Sequence, residues 1–140
     1  MAREVGFCAA ARDRSIEVVV ERYGSTTYQS GVVLAARLLE RKQRPDAIFC
    51  ANDLIACGLM DAARHRYKLA VPDDLCVIGF DNIEQSAWSS YELTTFAQPV
   101  DEIAVRAVEW LSEHGPGEIH SHRLGTQLIW RGSVREARPQ

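Results

Sequence analysis

The chain reads as an α/β domain: a mostly parallel sheet flanked by helices. Two kinds of observation predict this. The first is alternation, in which short apolar runs take turns with longer stretches whose apolar positions recur every three and four residues. The second is how the runs end. Ala47-Ile48-Phe49-Cys50 stops at Ala51-Asn52-Asp53, Leu75 to Phe80 stops at Asp81, and Thr94-Thr95-Phe96-Ala97 stops at Gln98. Unbroken apolar runs suit parallel strands covered on both faces. Polar groups at their carboxyl ends suit a sheet edge that opens into a ligand crevice.

Taken in order, Met1 to about Asp13 has helical spacing through Val5, Phe7, Cys8 and Ala11. Ile16-Glu17-Val18-Val19-Val20 is β-branched and predicts a strand. Glu21 to Thr27 is a polar loop carrying Gly24. From about Thr27 to Lys42, Tyr28, Val32, Ala35, Ala36 and Leu39 form one apolar stripe, hence an amphipathic helix. Arg41, Lys42 and Arg44 suit its carboxyl end, and Pro45 stops it.

Ala47–Cys50 is the next strand. Asn52 or Asp53 then caps a helix running to about Tyr67, with Ile55, Leu59 and Ala62 or Ala63 inward. Gly58 inside that helix costs about 1 kcal/mol against alanine, so close packing is its expected reason. Val71-Pro72-Asp73-Asp74 is an exposed turn, Leu75–Phe80 a strand, and Ile83–Ser90 holds a short helix. Thr94–Ala97 is a strand, Asp101 to about His114 a helix opened by two acids, Gly115-Pro116-Gly117 a break, and Leu124–Trp130 the last strand.

At 140 residues the chain has the size of one ordinary domain, and a net charge of −3 leaves no basic footprint for nucleic acid. No apolar stretch approaches the roughly 18 residues of a membrane span, and the polar start Met1-Ala2-Arg3-Glu4 lacks a signal core. Cys8, Cys50, Cys57 and Cys76 form no CxxC and no metal-like pairing with histidine; Cys50 and Cys76 fall in strands as small buried hydrophobes. The cytoplasm is the expected compartment. His120-Ser121-His122 sits in a polar loop without a carboxylate or thiol partner, so neither a metal site nor a cofactor is expected. No phosphate loop, nucleophile elbow or zinc-protease motif occurs, and enzyme activity has no positive support.

Asn52-Asp53 has two readings: an N-cap satisfying orphan amides, or a polar head turned across the strand ends toward sugar-like hydroxyls. Gly79-Phe80-Asp81-Asn82 is either a turn signal or a carboxylate presented to two hydroxyls. Both follow buried strands, so both fall on one edge of the sheet, where open α/β sheets bind ligands. Gln98 joins them there, or serves as a hinge residue capping a backbone group. Arg3, taken alone, is a solvated arginine near a terminus.

The order and spacing of these segments resemble the effector-binding domain of the LacI/GalR family of bacterial transcriptional repressors. The likeness begins at Arg3-Glu4-Val5-Gly6-Phe7, similar to the family's R-x-x-G-F. It continues through Gly24, Gly31 and the three strand-end segments to Leu128-Ile129-Trp130-Arg131-Gly132-Ser133, similar to its L-x-x-R-x-S. The resemblance implies a periplasmic-binding-protein-like lobe over residues 1–133, followed by a polar tail over 134–140. It implies that Arg3, Asn52, Asp81 and Gln98 line a pocket for a sugar-like effector, or a purine in some members. Thr26 stands where the family often carries a stacking aromatic, with Tyr28 as its neighbour.

The resemblance also implies what surrounds such a lobe. A helix-turn-helix headpiece, a first lobe and an opening strand would precede Arg3. The segment 98–122 would be a crossover whose helix packs on that first lobe through Ile103, Ala104, Ala107, Val108 and Leu111. Without that lobe, a chain of this length is expected to fold marginally or to self-associate. A homodimer is expected, with the helix carrying Cys57 and the segment Trp88–Tyr91 as its surfaces. DNA would be reached only through the headpiece, and no membrane is involved. The rival readings are a sugar-binding lobe for transport or chemosensing, and a small α/β enzyme.

Overall fold

The computed structural model describes residues 2–113 and 123–135. Helix α1 spans Ala2–Arg12, α2 Tyr28–Leu39, β1 Ala47–Phe49, α3 Asp53–His65, β2 Cys76–Asp81, β3 Thr94–Ala97, α4 Val100–Glu113 and β4 Gln127–Ile129. A single 3-10 turn, Glu84–Ala87, interrupts the β2–β3 connection. The sheet order is β1-β2-β3-β4, with the first three strands parallel and β4 antiparallel to β3. The expected mostly parallel α/β architecture is therefore present, with an antiparallel edge.

Side chains alternate across the sheet and create two unlike faces. On one face Ile48 and Val77 meet α2 and α3, where Leu34, Leu38, Leu59, Met60, Ala63, Leu75 and Leu93 form the core. The two helices touch backbone to backbone. A Cβ built on Gly58 would lie 2.0 Å from the Tyr28 carbonyl oxygen, and one on Gly31 would lie 2.1 Å from that of Ile55. Close packing is thus the reason for the helical glycine at 58, as its sequence context suggests. On the opposite face the chain's four phenylalanines form a row. Phe7 of α1 stacks on Phe49 at 4.9 Å, Phe49 meets Phe96 edge-on at 6.4 Å, and Phe96 stacks with Phe80 at 5.9 Å.

The expected strand at Ile16–Val20 is not formed. The segment pairs with no strand among the described residues, and Ile16 is 57 % exposed. β-branched residues favour extended backbone, but a strand exists only where a neighbour completes its hydrogen bonds. The other differences are at boundaries. β2 starts one residue later than expected and includes Asp81, α2 and α3 stop at Leu39 and His65, and the last strand contracts to three residues. Cys50 and Cys76 are buried as expected, Asp73 and Asp74 are exposed, and Asp74 accepts the Ala70 amide at 2.8 Å. The break at 115–117, the histidines at 120 and 122 and the tail from 136 lie outside the described residues.

Candidate functional site at the carboxyl ends of the strands

Three of the expected residues converge where β1, β2 and β3 end. Arg3, in the first turn of α1, donates through Nη1 to the Ala51 carbonyl just beyond β1 at 2.7 Å. Its Nη2 reaches Asp81 Oδ1 at 3.4 Å, and its guanidinium lies 3.8 Å over the Phe80 ring. Gln98, directly after β3, donates through Nε2 to the same Asp81 oxygen at 2.6 Å. One carboxylate oxygen is thereby occupied by two cationic or amide donors. Among the described residues Oδ2 has no protein partner. A carboxylate fixed on one side and free on the other, on a partly exposed residue, can accept hydrogen bonds from a hydroxyl-bearing ligand. The Arg3–Asp81 pair is long and partly solvated, so its value is orientation more than stability.

The backbone that presents Asp81 is itself unusual. Asp81 has φ 117° and Asn82 φ 54°, two successive non-glycine residues in the left-handed half of the map. Such conformations cost on the order of 1–3 kcal/mol each and persist only where surroundings over-determine them. Here they do. Arg131 donates to Asn82 Oδ1 at 2.8 Å, to the Leu93 carbonyl at 2.8 Å and to Ser86 Oγ at 3.2 Å. Ser133 is fully buried, accepts the Thr94 amide at 2.8 Å and donates to the Val77 carbonyl at 2.6 Å. The segment Arg131-Gly132-Ser133 therefore ties the 82–93 loop to β2 and β3. No sequence expectation covered this use of the two residues, although the L-x-x-R-x-S likeness was the signal for it.

Asn52 and Asp53, adjacent and alike in sequence, do different things. Asn52 is the N-cap of α3: its Oδ1 accepts the Ile55 amide at 2.9 Å, while Nδ2 donates to the Thr26 carbonyl at 3.2 Å. Asn52 thus holds the exposed loop that carries Thr26 against the strand end. Asp53 is wholly buried. Its Oδ1 accepts the Thr95 hydroxyl at 2.6 Å and its Oδ2 the Ile83 amide at 3.0 Å. Burial pushes this carboxyl above its ordinary value, the bonds from Thr95 and Ile83 pull it back, and the charge of Asp81 adds to the upward push.

The residues expected at a subunit contact are not equally accessible. Trp88 is 47 % exposed, whereas Cys57 is 2 % exposed and burial raises its thiol to about 12. Tyr91 is partly buried and donates to Asp61 Oδ2 at 2.8 Å, beside Tyr28, which donates to the same oxygen at 2.7 Å. Among the described residues, no group of three or more His, Cys, Asp or Glu is arranged to hold a metal ion, and no helix is long and apolar enough to cross a membrane.

A model of the periplasmic binding protein-like domain matches residues 1–134, almost the whole chain. The chain belongs to that family. Its relatives are LacI-type regulators. It is 38 % identical over 115 residues to the HTH-type transcriptional repressor CytR of Escherichia coli (strain K12), covering 80 % of this chain and 33 % of the repressor. A LacI-family transcriptional regulatory protein from Corynebacterium glutamicum superposes with a TM-score of 0.82 at 32 % identity, over 94 % of this chain and 52 % of that one. A sugar-binding transcriptional regulator of the LacI family from Escherichia coli, complexed with phosphate, gives a TM-score of 0.81 at 29 % identity, over 94 % and 49 %. The chain spans about a third of the length of the curated relatives it matches. These relatives are transcription regulators rather than enzymes.

Proposed function

We propose that this chain is the effector-sensing portion of a LacI-type repressor and that its crevice takes a small, hydroxyl-rich molecule of the sugar class. The observation that carries the reading is Asp81. One of its oxygens is fixed by Arg3 and Gln98 and the other has no partner among the described residues, at the carboxyl ends of three parallel strands. Carboxylate, guanidinium and amide groups on one edge suit bidentate hydrogen bonding to hydroxyls. Asn52 supports the site by holding the Thr26 loop, and Thr26 itself faces solvent near a strand end. The sugar-binding regulator among the structural relatives favours the same ligand class.

In the full-length protein, the proposed mechanism is closure of this lobe on another one about the segment that begins at Gln98. Closure shifts a two-state equilibrium that a DNA-binding headpiece reads. α4 would pack on the other lobe, and the protein would work in the cytoplasm as a homodimer, with Trp88 and Tyr91 at the subunit contact and Cys57 supporting it from beneath. The test is Asp81→Ala and Gln98→Ala in the full-length protein, with operator binding and effector response measured separately. Operator binding is expected to persist while response is lost; response that survives both changes overturns the site assignment.

A further inference from the structure

Asp53 is wholly buried, yet it sits under the part of the site whose geometry is least self-sustaining. It belongs to the first turn of α3, where the helix dipole favours a negative charge. From there it reaches β3 through the Thr95 hydroxyl and the turn after β2 through the Ile83 amide. It also rests against Gly79 of β2, where a Cβ would lie 2.0 Å from its Oδ1. One buried side chain thus joins the elements that follow β1 and β2 to β3, and its Ile83 contact comes two residues after Asp81.

We propose that Asp53 is a positioning residue for effector recognition: by accepting from Thr95 and Ile83 it supports the left-handed Asp81–Asn82 turn, and so keeps the Asp81 carboxylate placed at the strand ends for the effector. The inference rests on the reading that Asp81 contacts the effector, and deepens it. Three features argue for positioning beyond filling space. Both carboxylate oxygens are used, each on a different element. The position opposite is a glycine, which leaves room for the carboxylate and for little else. The held Ile83 directly follows Asp81 and Asn82, whose left-handed backbone is costly and needs support from its surroundings.

The test uses the full-length protein and amide hydrogen exchange at Asn82 and Ile83, with Leu59 in the core as internal reference. Asp53→Ala removes both acceptors. It is expected to raise exchange at Ile83 about tenfold relative to Leu59, the mark of local opening in an intact core. Asp53→Asn keeps an oxygen for the Ile83 amide and turns its NH2 to the Thr95 oxygen, so it is expected to restore protection. Thr95→Val is expected to give a smaller rise in the same direction. Should Asp53→Ala fail to fold, the comparison of Thr95→Val with wild type decides. Unchanged exchange at Ile83 there overturns the proposal, as does Asp53→Asn behaving like Asp53→Ala. A second arm titrates glucose, galactose and ribose by calorimetry into wild type, Asp53→Ala, Thr95→Val and Asp81→Ala. Binding that Asp81→Ala abolishes and Asp53→Ala or Thr95→Val weakens supports both readings. Binding indifferent to Asp81 overturns the parent reading, while the exchange data still decide whether Asp53 holds the turn.

Discussion

α3 and α4 begin as near twins. Each follows a parallel strand, they have 13 and 14 residues, and each carries acid in its first turn (Asp53; Asp101 and Glu102) and an apolar stripe. Their fates differ completely. Nine of the 13 residues of α3 are buried, and none of the 14 of α4. α3 lies in the fork between the sheet and α2, with Gly31 and Gly58 permitting backbone contact. The stripe of α4, Val100, Ile103, Val108 and Leu111, stands largely in solvent. Amphipathicity records which face of a helix is to be covered; what covers it is a property of the neighbours.

The largest effect that sharpens this contrast is at the centre of α3. Leu59 is 1 % exposed, and Leu59→Ala removes a packed side chain and leaves a cavity. The expected cost is about 2–5 kcal/mol, read from the urea midpoint at constant slope. A cost near zero would mean that the α2–α3 layer is loosely packed.

Gly31→Ala comes next, and two effects of opposite sign compete there. Alanine in a helix interior gains about 1 kcal/mol over glycine. The added carbon, however, meets the Ile55 carbonyl oxygen at 2.1 Å, and backbone cannot move aside as a side-chain tip can. Overpacking costs about 1–3 kcal/mol, so net destabilisation is expected, and a net gain would show that the helices separate freely.

The same contrast marks how far the sequence could be read. Alternating runs, helix starts and strand ends were legible because they depend on local periodicity and capping chemistry. Asp81 and Gln98 were legible as one cluster because strand ends share an edge, whereas Arg3, which reaches that edge from α1, was legible only through the family likeness. The division of labour between Asn52 and Asp53 was not, since the partners of Asp53 lie 42 and 30 residues away, at Thr95 and Ile83. Ile16–Val20 misled for the converse reason: its composition is that of a strand, but no described neighbour completes it. Local propensity states what a segment can become, and only the partner decides.

A third, pH-dependent effect probes the link between α2 and α3. Tyr28 and Tyr91 both donate to Asp61, and hydrogen bonding to that carboxylate, aided by burial, raises the Tyr28 phenol to about 12. Burial first, then Asp61, raises that of Tyr91 too. The folded state therefore holds these protons more tightly than the unfolded chain. The stabilisation is complete below the ordinary phenol value near 10 and is lost as pH rises through about 12. Stability measured across that window should fall in wild type and fall less steeply in Asp61→Asn; equal slopes would remove Asp61 as the cause.

The smallest expected effect belongs to α4 and carries the most information. Leu111 is 80 % exposed, so Leu111→Ala in the 140-residue chain removes little that is buried. The expected change in stability is within about 0.5 kcal/mol, because surface substitutions without a named partner rarely exceed that. In the full-length protein, where the proposed second lobe covers the stripe, the same substitution should cost about 2–5 kcal/mol, as a buried leucine does. The two measurements must be made together, since neither decides alone. A neutral result in both would leave α4 in solvent and remove the lobe contact from the proposed closing mechanism. A large cost already in the short chain would mean that its stripe is covered by a second copy, which sedimentation at two concentrations would reveal.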